Sequence, residues 1–202
     1  MQESQHHGVK NMTMLTDFYE FTMANGYFLD GRGENIAYFD MFFRNVPDGG
    51  GYAIMAGVEQ LVDYMKNLRF TDEDIAYLRS KNCFDERFLE YLKNFEFKCD
   101  VWAIREGTPI FPGEPLVVVR GPMVQAQFLE TMTLLTINHQ SLIATKANRM
   151  VRAAEGRTIL EFGSRRAQGY DGAVYGARAA YIGGCAGTAC VMTDRDCGVP
   201  AA

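Results

Sequence analysis

Apolar positions in the first part of the chain fall at helical and then at strand spacing. Over residues 11–29, Leu15, Phe18, Phe21 and Met23 crowd onto all sides of one segment. That pattern predicts a helix opened by Thr16 or Asp17 as cap and weakened or ended by Gly26. Residues 36–43, IAYFDMFF, alternate imperfectly and are rich in aromatics, which predicts a strand. Pro47 and the run Gly49-Gly50-Gly51 then break regular structure. A second helix is expected over 56–67. Thr71 with Asp74 has the spacing of a capping box, and Asp85 can cap the run holding Phe88, Leu89 and Leu92.

Residues 99–120 read as β structure, ending in the β-branched run Val117-Val118-Val119, with prolines that favour edges and turns. From 124 to 154 neither proline nor glycine interrupts a series of good helix formers, which predicts one long helix. After Arg157 the pattern changes to a short apolar strand, TILEF, a loop with glycine and arginine, a helix near 175–182 and a further βα-like repeat. Alternation of this kind predicts α/β architecture with parallel strands. The stretch 157–202 is far shorter than the roughly 250 residues of a closed barrel of eight βα units. The expected division is therefore an N-terminal α/β domain over 1–122, ordered from about residue 10, a connecting helix over 123–156, and the start of an incomplete α/β barrel domain over 157–202.

Composition narrows the class. The 202 residues are 48% hydrophobic and 22% charged, a balance that supports a packed core and argues against disorder. No apolar run approaches the roughly 20 residues of a membrane span, and the polar start MQESQHHGVKN lacks a signal-peptide core. A cytoplasmic location without membrane partners is the expectation. A net charge of −5 without a long basic cluster argues against nucleic acid as partner. The five cysteines form no C-x-x-C pair, so they read as reduced thiols rather than metal ligands.

Candidate chemistry concentrates in Glu161-Phe162-Gly163-Ser164-Arg165-Arg166. Two adjacent guanidiniums where a strand gives way to a glycine loop suit a carboxylate or phosphate, because each planar fork donates paired hydrogen bonds. Solvated arginines, one paired with Glu161 or Asp171, are the competing reading. Gly183-Gly184-Cys185-Ala186-Gly187-Thr188 could present backbone N–H groups to an anion at a helix start, or be a structural turn. His139 lies in the long helix, where a packed or hydrogen-bonded role is expected, and His6-His7 lie in a terminus expected to be mobile.

The order of motifs resembles the nicotinate phosphoribosyltransferase family from about Met14 to Ala202. The resemblance rests on LTDFYEFTMANGY (15–27), FFRNVP (42–47), EGTPIFPGEPLVVVRGP (106–122), the helix containing QFLET, and EFGSRRAQGYDG (161–172). It implies a small α/β domain packed against an irregular α/β barrel of the type II phosphoribosyltransferases, usually as a homodimer with shared active sites. In that pattern Tyr19 would stack on the nicotinate ring across the dimer interface, and Arg44 would approach the pyrophosphate from the same partner. Phe162 would support the other ring face, and Arg165 would lie near the ring substituent or the phosphoribosyl group. The resemblance leaves open whether Arg166 shares that role.

The implied reaction joins nicotinate to phosphoribosyl pyrophosphate, giving nicotinate mononucleotide and pyrophosphate for NAD biosynthesis by salvage. Mg²⁺ would gather the pyrophosphate charge, and ATP hydrolysis through a phosphohistidine would drive the step, as in an ATP-coupled ligase and glycosyltransferase. In the family that histidine follows a G-[IV]-P-[VA]-A segment, which here is residues 198–202, so no catalytic residue is assigned within the chain. The 202-residue chain alone is expected to be inactive. Residues 183–196, GGCAGTACVMTDRD, depart from the family's more apolar, Ser/Asn-containing pattern. Two other readings are a nicotinamide-using relative, which shares the Phe-Gly-x-Arg loop, and a non-catalytic dimerisation or binding module.

Overall fold

The computed structural model describes residues 11–202, so His6 and His7 lie outside the described part. Its centre is strand β5 (Val117–Pro122), flanked antiparallel by β1 (Ile36–Met41) and β3 (Asp100–Ala103). Met41 lies opposite Val117, and Ala103 faces the same residue from the other side. Val117, Val119 and Gly121 point to the core while Val118 and Arg120 turn outward, the period of two expected of a sheet with one buried face. On the outer face Arg120 donates to the Tyr38 hydroxyl at 3.0 Å and to Asp100 Oδ2 at 2.9 Å.

A second, two-residue pairing joins β2 (Ala53–Ile54) to β4 (Pro109–Ile110). Pro109 has no N–H for the ladder, and Ile54 N–H donates instead to Thr145 Oγ1 at 2.8 Å. That bond anchors the strand to the helix behind it.

Helix α1 (Phe18–Leu29) starts where expected, but neither Thr16 nor Asp17 caps it with a side chain. The Thr16 hydroxyl donates to Glu20 Oε2 at 2.5 Å instead, and the helix runs through Gly26 without a break. Helix α2 (Val58–Asn67) begins later than the pattern predicts because Gly57 takes φ 106° and lies against Thr136, where a Cβ would sit 2.7 Å from the carbonyl oxygen. The capping box of α3 (Asp72–Ser80) forms as written: Thr71 N–H donates to Asp74 Oδ2 at 2.8 Å and Asp74 N–H to Thr71 Oγ1 at 3.2 Å. Asp85 caps α4 (Glu86–Lys93) by accepting from Arg87 N–H at 2.8 Å.

The single long helix expected over 124–154 is two, α5 (Met123–Gln127) and α6 (Glu130–Ala153). No breaker residue causes the division. Phe128 and Leu129 turn fully inward, and the Phe128 ring sits 5.2 Å from Phe21, 5.6 Å from Phe70 and 6.1 Å from Phe95. Burial of that ring among one tilted and two edge-on neighbours outweighs continuous helix propensity.

After Arg157 the strand expected over TILEF is reduced to parallel bridges, Glu161 with Thr188 and Thr188 with Ala201. Glu161 N–H donates to Gly187 O, Ala189 N–H to Glu161 O, and Ala202 N–H to Thr188 O, each at 2.9 Å. Helices α7 (Tyr170–Ile182) and α8 (Val191–Cys197) complete the βα alternation, with α7 starting earlier than the pattern predicts. Helix α7 lies along the second half of α6 through small residues: Ala144, Ala147, Ala179 and Ala180 are all buried. Gly183 permits this approach, since a Cβ there would collide with the Ala144 carbonyl. No helix among the described residues is long and apolar enough to cross a membrane.

Candidate functional site

The loop that leaves the Glu161 pairing forms a 3₁₀ turn over Ser164–Arg166 before Gly169 opens α7. Phe162, Arg165 and Arg166 line one open cavity of about 380 Å³, and Phe162 is 57% exposed within it. Neither guanidinium forms a side-chain hydrogen bond or ion pair among the described residues. The sequence reading that paired one of them with Glu161 or Asp171 is thus corrected. Glu161 faces its own loop: its Oε1 accepts the Gly163 N–H and its Oε2 accepts the Thr188 hydroxyl at 2.5 Å. Thr188 is fully buried, and its Oγ1 also accepts Cys190 N–H at 2.9 Å.

Tyr19 lies on α1, 43% exposed, and donates its hydroxyl to Glu130 Oε1 at 2.7 Å, at the start of α6. That bond, with partial burial and nearby carboxylates, pushes its phenol well above the usual range. Beside it Glu20 is fully buried; burial raises its carboxyl pKa, opposed by hydroxyl bonds from Thr131 and Thr16. Arg44 is exposed, just beyond β1, with no side-chain partner among the described residues. The structure thus gathers Phe162, Arg165 and Arg166 in one place, while Tyr19 and Arg44 do not line that cavity.

Two other sequence candidates resolve differently. The glycine-rich run is no anion cradle: the N–H groups of Gly183, Gly184, Cys185, Ala186, Thr188 and Ala189 all donate to backbone carbonyls. It follows the end of α7 rather than opening a helix, so it is the structural turn. His139 packs over Gly172 and Gly176 of α7, and its Nε2 has no hydrogen-bond partner. Among the described residues no three His, Cys, Asp or Glu side chains converge to hold a metal ion.

Composition and motif reading missed Arg178. Only 8% exposed, it donates to Glu106 at 2.9 and 2.6 Å, to Gln140 Oε1 at 3.3 Å and to Glu59 Oε2 at 2.5 Å. Glu106 Oε1 also accepts from Gly57 N–H at 2.6 Å and Val58 N–H at 3.0 Å, so it caps α2 while binding α7. Burial disfavours its charge, but Arg178 and those two amides outweigh burial and leave its pKa below the ordinary value. An arginine in the middle of an alanine-rich helix was the sequence signal, and it needs the third dimension to acquire meaning.

Known proteins supply the context. Residues 14–138 match the model of the nicotinate phosphoribosyltransferase (NAPRTase) N-terminal domain. A nicotinate phosphoribosyltransferase of Mycobacterium tuberculosis is 43% identical over 187 residues, which is 93% of this chain and 40% of the relative. The Bacillus subtilis nicotinate phosphoribosyltransferase is 40% identical over 190 residues, 94% of this chain and 39% of its own. The crystal structure of human nicotinic acid phosphoribosyltransferase superposes with a TM-score of 0.87 at 38% identity, covering 93% of this chain and 38% of that one. A nicotinate-nucleotide pyrophosphorylase from Pyrococcus furiosus, 23% identical with a TM-score of 0.75, shares the fold. The chain spans about two fifths of the length of the relatives from Mycobacterium and Bacillus. With motif order, mixed helix-and-sheet fold and the match over 14–138 in agreement, the chain belongs to the nicotinate phosphoribosyltransferase family.

Proposed function

We propose that this chain is part of an enzyme that joins nicotinate to phosphoribosyl pyrophosphate, giving nicotinate mononucleotide and pyrophosphate with ATP hydrolysis in NAD salvage. One observation carries the reading: two guanidiniums without protein partners share a cavity with an exposed aromatic ring. The Phe162 face suits a flat pyridine ring, and Arg165 offers a fork to the ring carboxylate or to the phosphoribosyl group, with Arg166 adding positive charge. Nicotinamide is neutral and would leave that charge unanswered, which favours nicotinate as substrate.

In this reading the substrate's pyridine nitrogen displaces pyrophosphate at the anomeric carbon, and this chain's contribution is to bind and orient the ring. Tyr19 and Arg44, exposed and away from the cavity, serve the site of a second copy in a homodimer: Tyr19 stacks on the ring and Arg44 meets the pyrophosphate. Among the described residues no three His, Cys, Asp or Glu side chains converge, so Mg²⁺ would rest chiefly on the substrate's pyrophosphate rather than in a protein cage.

Equilibrium dialysis with labelled nicotinate and nicotinamide tests the reading. Nicotinate is expected to bind at least about tenfold more tightly, a gap of about 1.4 kcal/mol, and Arg165→Ala to abolish that preference. Equal binding of both pyridines, or an Arg165→Ala variant that keeps the preference, would sink it.

A further inference from the structure

The two guanidiniums in the cavity are unpaired although a carboxylate, Glu161, stands only four residues before Arg165. Left free, that carboxylate would be the natural partner of either arginine and would cancel the charge an anionic substrate needs. Its two oxygens are instead engaged by Gly163 N–H and by the hydroxyl of Thr188. Thr188 is held in turn by the parallel bridges on both its sides and by Cys190 N–H. The residue is fully buried, so water does not compete for its hydroxyl.

We infer that Glu161 and Thr188 are positioning residues: the Thr188 hydroxyl holds the Glu161 carboxylate away from Arg165 and Arg166 and, through Gly163, fixes the turn that presents them. The pair touches no substrate. It sets both the direction of the arginine turn and the charge the cavity shows. Binding of an anionic pyridine therefore depends on a hydroxyl on the neighbouring strand segment. This inference rests on the proposed nicotinate reading, and the experiment separates the two.

Nicotinate is the probe, titrated into the 202-residue chain and followed through the Nε–H resonances of its arginines and by equilibrium dialysis. Thr188→Val keeps the shape and the backbone bridges but removes the hydroxyl. It is expected to weaken nicotinate about tenfold and, because Cys190 N–H loses its acceptor too, to lower the thermal midpoint by several degrees while the chain stays folded. Thr188→Ser restores the hydroxyl and is expected to return affinity to within about twofold. Glu161→Gln keeps one acceptor oxygen and removes the competing charge; it is expected to bind nicotinate but to loosen the turn, seen as faster exchange of the Gly163 amide. It also decides the matter if Thr188→Val does not fold, because unchanged Gly163 exchange in Glu161→Gln would overturn the brace. Wild-type affinity in a folded Thr188→Val would overturn the inference while leaving the nicotinate reading intact. Failure of the wild-type chain to bind nicotinate would overturn that reading, and the inference with it.

Discussion

The two ends of this chain bury their surface in different currencies of shape. Up to Leu129 the core is built from rings and long aliphatics, with Phe21, Phe70, Phe95 and Phe128 meeting largely edge-on. Beyond Arg157 the packed surfaces are Ala179, Ala180 and Cys185 against Ala144 and Ala147, while Leu160, Phe162, Val191 and Met192 stay exposed. Large side chains give much apolar burial per residue; small ones give close backbone approach and little area. The first region can therefore stand on its packing, whereas the second depends on backbone bonds and on one charged network.

The largest effect is expected from Phe128→Ala, which empties the centre of the aromatic cluster and should cost about 4 kcal/mol of stability in urea unfolding. A loss below about 1 kcal/mol would mean that the cluster contributes little and that the contrast between the regions is wrong. Next comes Arg178→Met, expected to cost about 3 kcal/mol because Glu106 is left charged and half-buried while the more exposed Glu59 rehydrates. Glu106 has a lowered pKa in the fold, so its contribution to stability is complete above the unfolded value of about 4.3 and is lost as pH falls through the folded value. Without Arg178 the burial that opposes its charge prevails and the folded pKa rises above the unfolded value, so the acid loss tied to this group should disappear from thermal scans taken across the carboxylate range. The smallest change is Gly183→Ala, which should cost about 2 kcal/mol by prising α7 from α6. Its distinguishing readout is hydrogen exchange: amides of 157–202 should open while those of β5 keep their protection, and uniform opening would show the two regions to be one cooperative unit.

Much of the first region was legible because its signals are local. The capping box at Thr71 and Asp74, the Asp85 cap and the β-branched strand 117–119 each need only near neighbours, and each appears as read. The division between α5 and α6 was illegible because it depends on three phenylalanines far away in sequence. At the candidate site the grouping of Phe162 with Arg165 and Arg166 followed from adjacency. The absence of a carboxylate partner for the arginines did not, since it turns on Thr188, a residue hidden in a run that reads as a glycine-rich loop. Arg178 likewise looked like one more charge until its partners on three other segments surrounded it.

Unpaired guanidiniums on a molecule of net charge −5 also bear on how a ligand arrives. At a distance this chain's net charge repels an anion, and at physiological salt such fields fade within about 8 Å. The cavity's own attraction therefore governs only the last few ångströms of approach. Salt should consequently speed release of a bound anion more than it slows encounter, so the arginine turn acts as a short-range catch rather than a long-range lure.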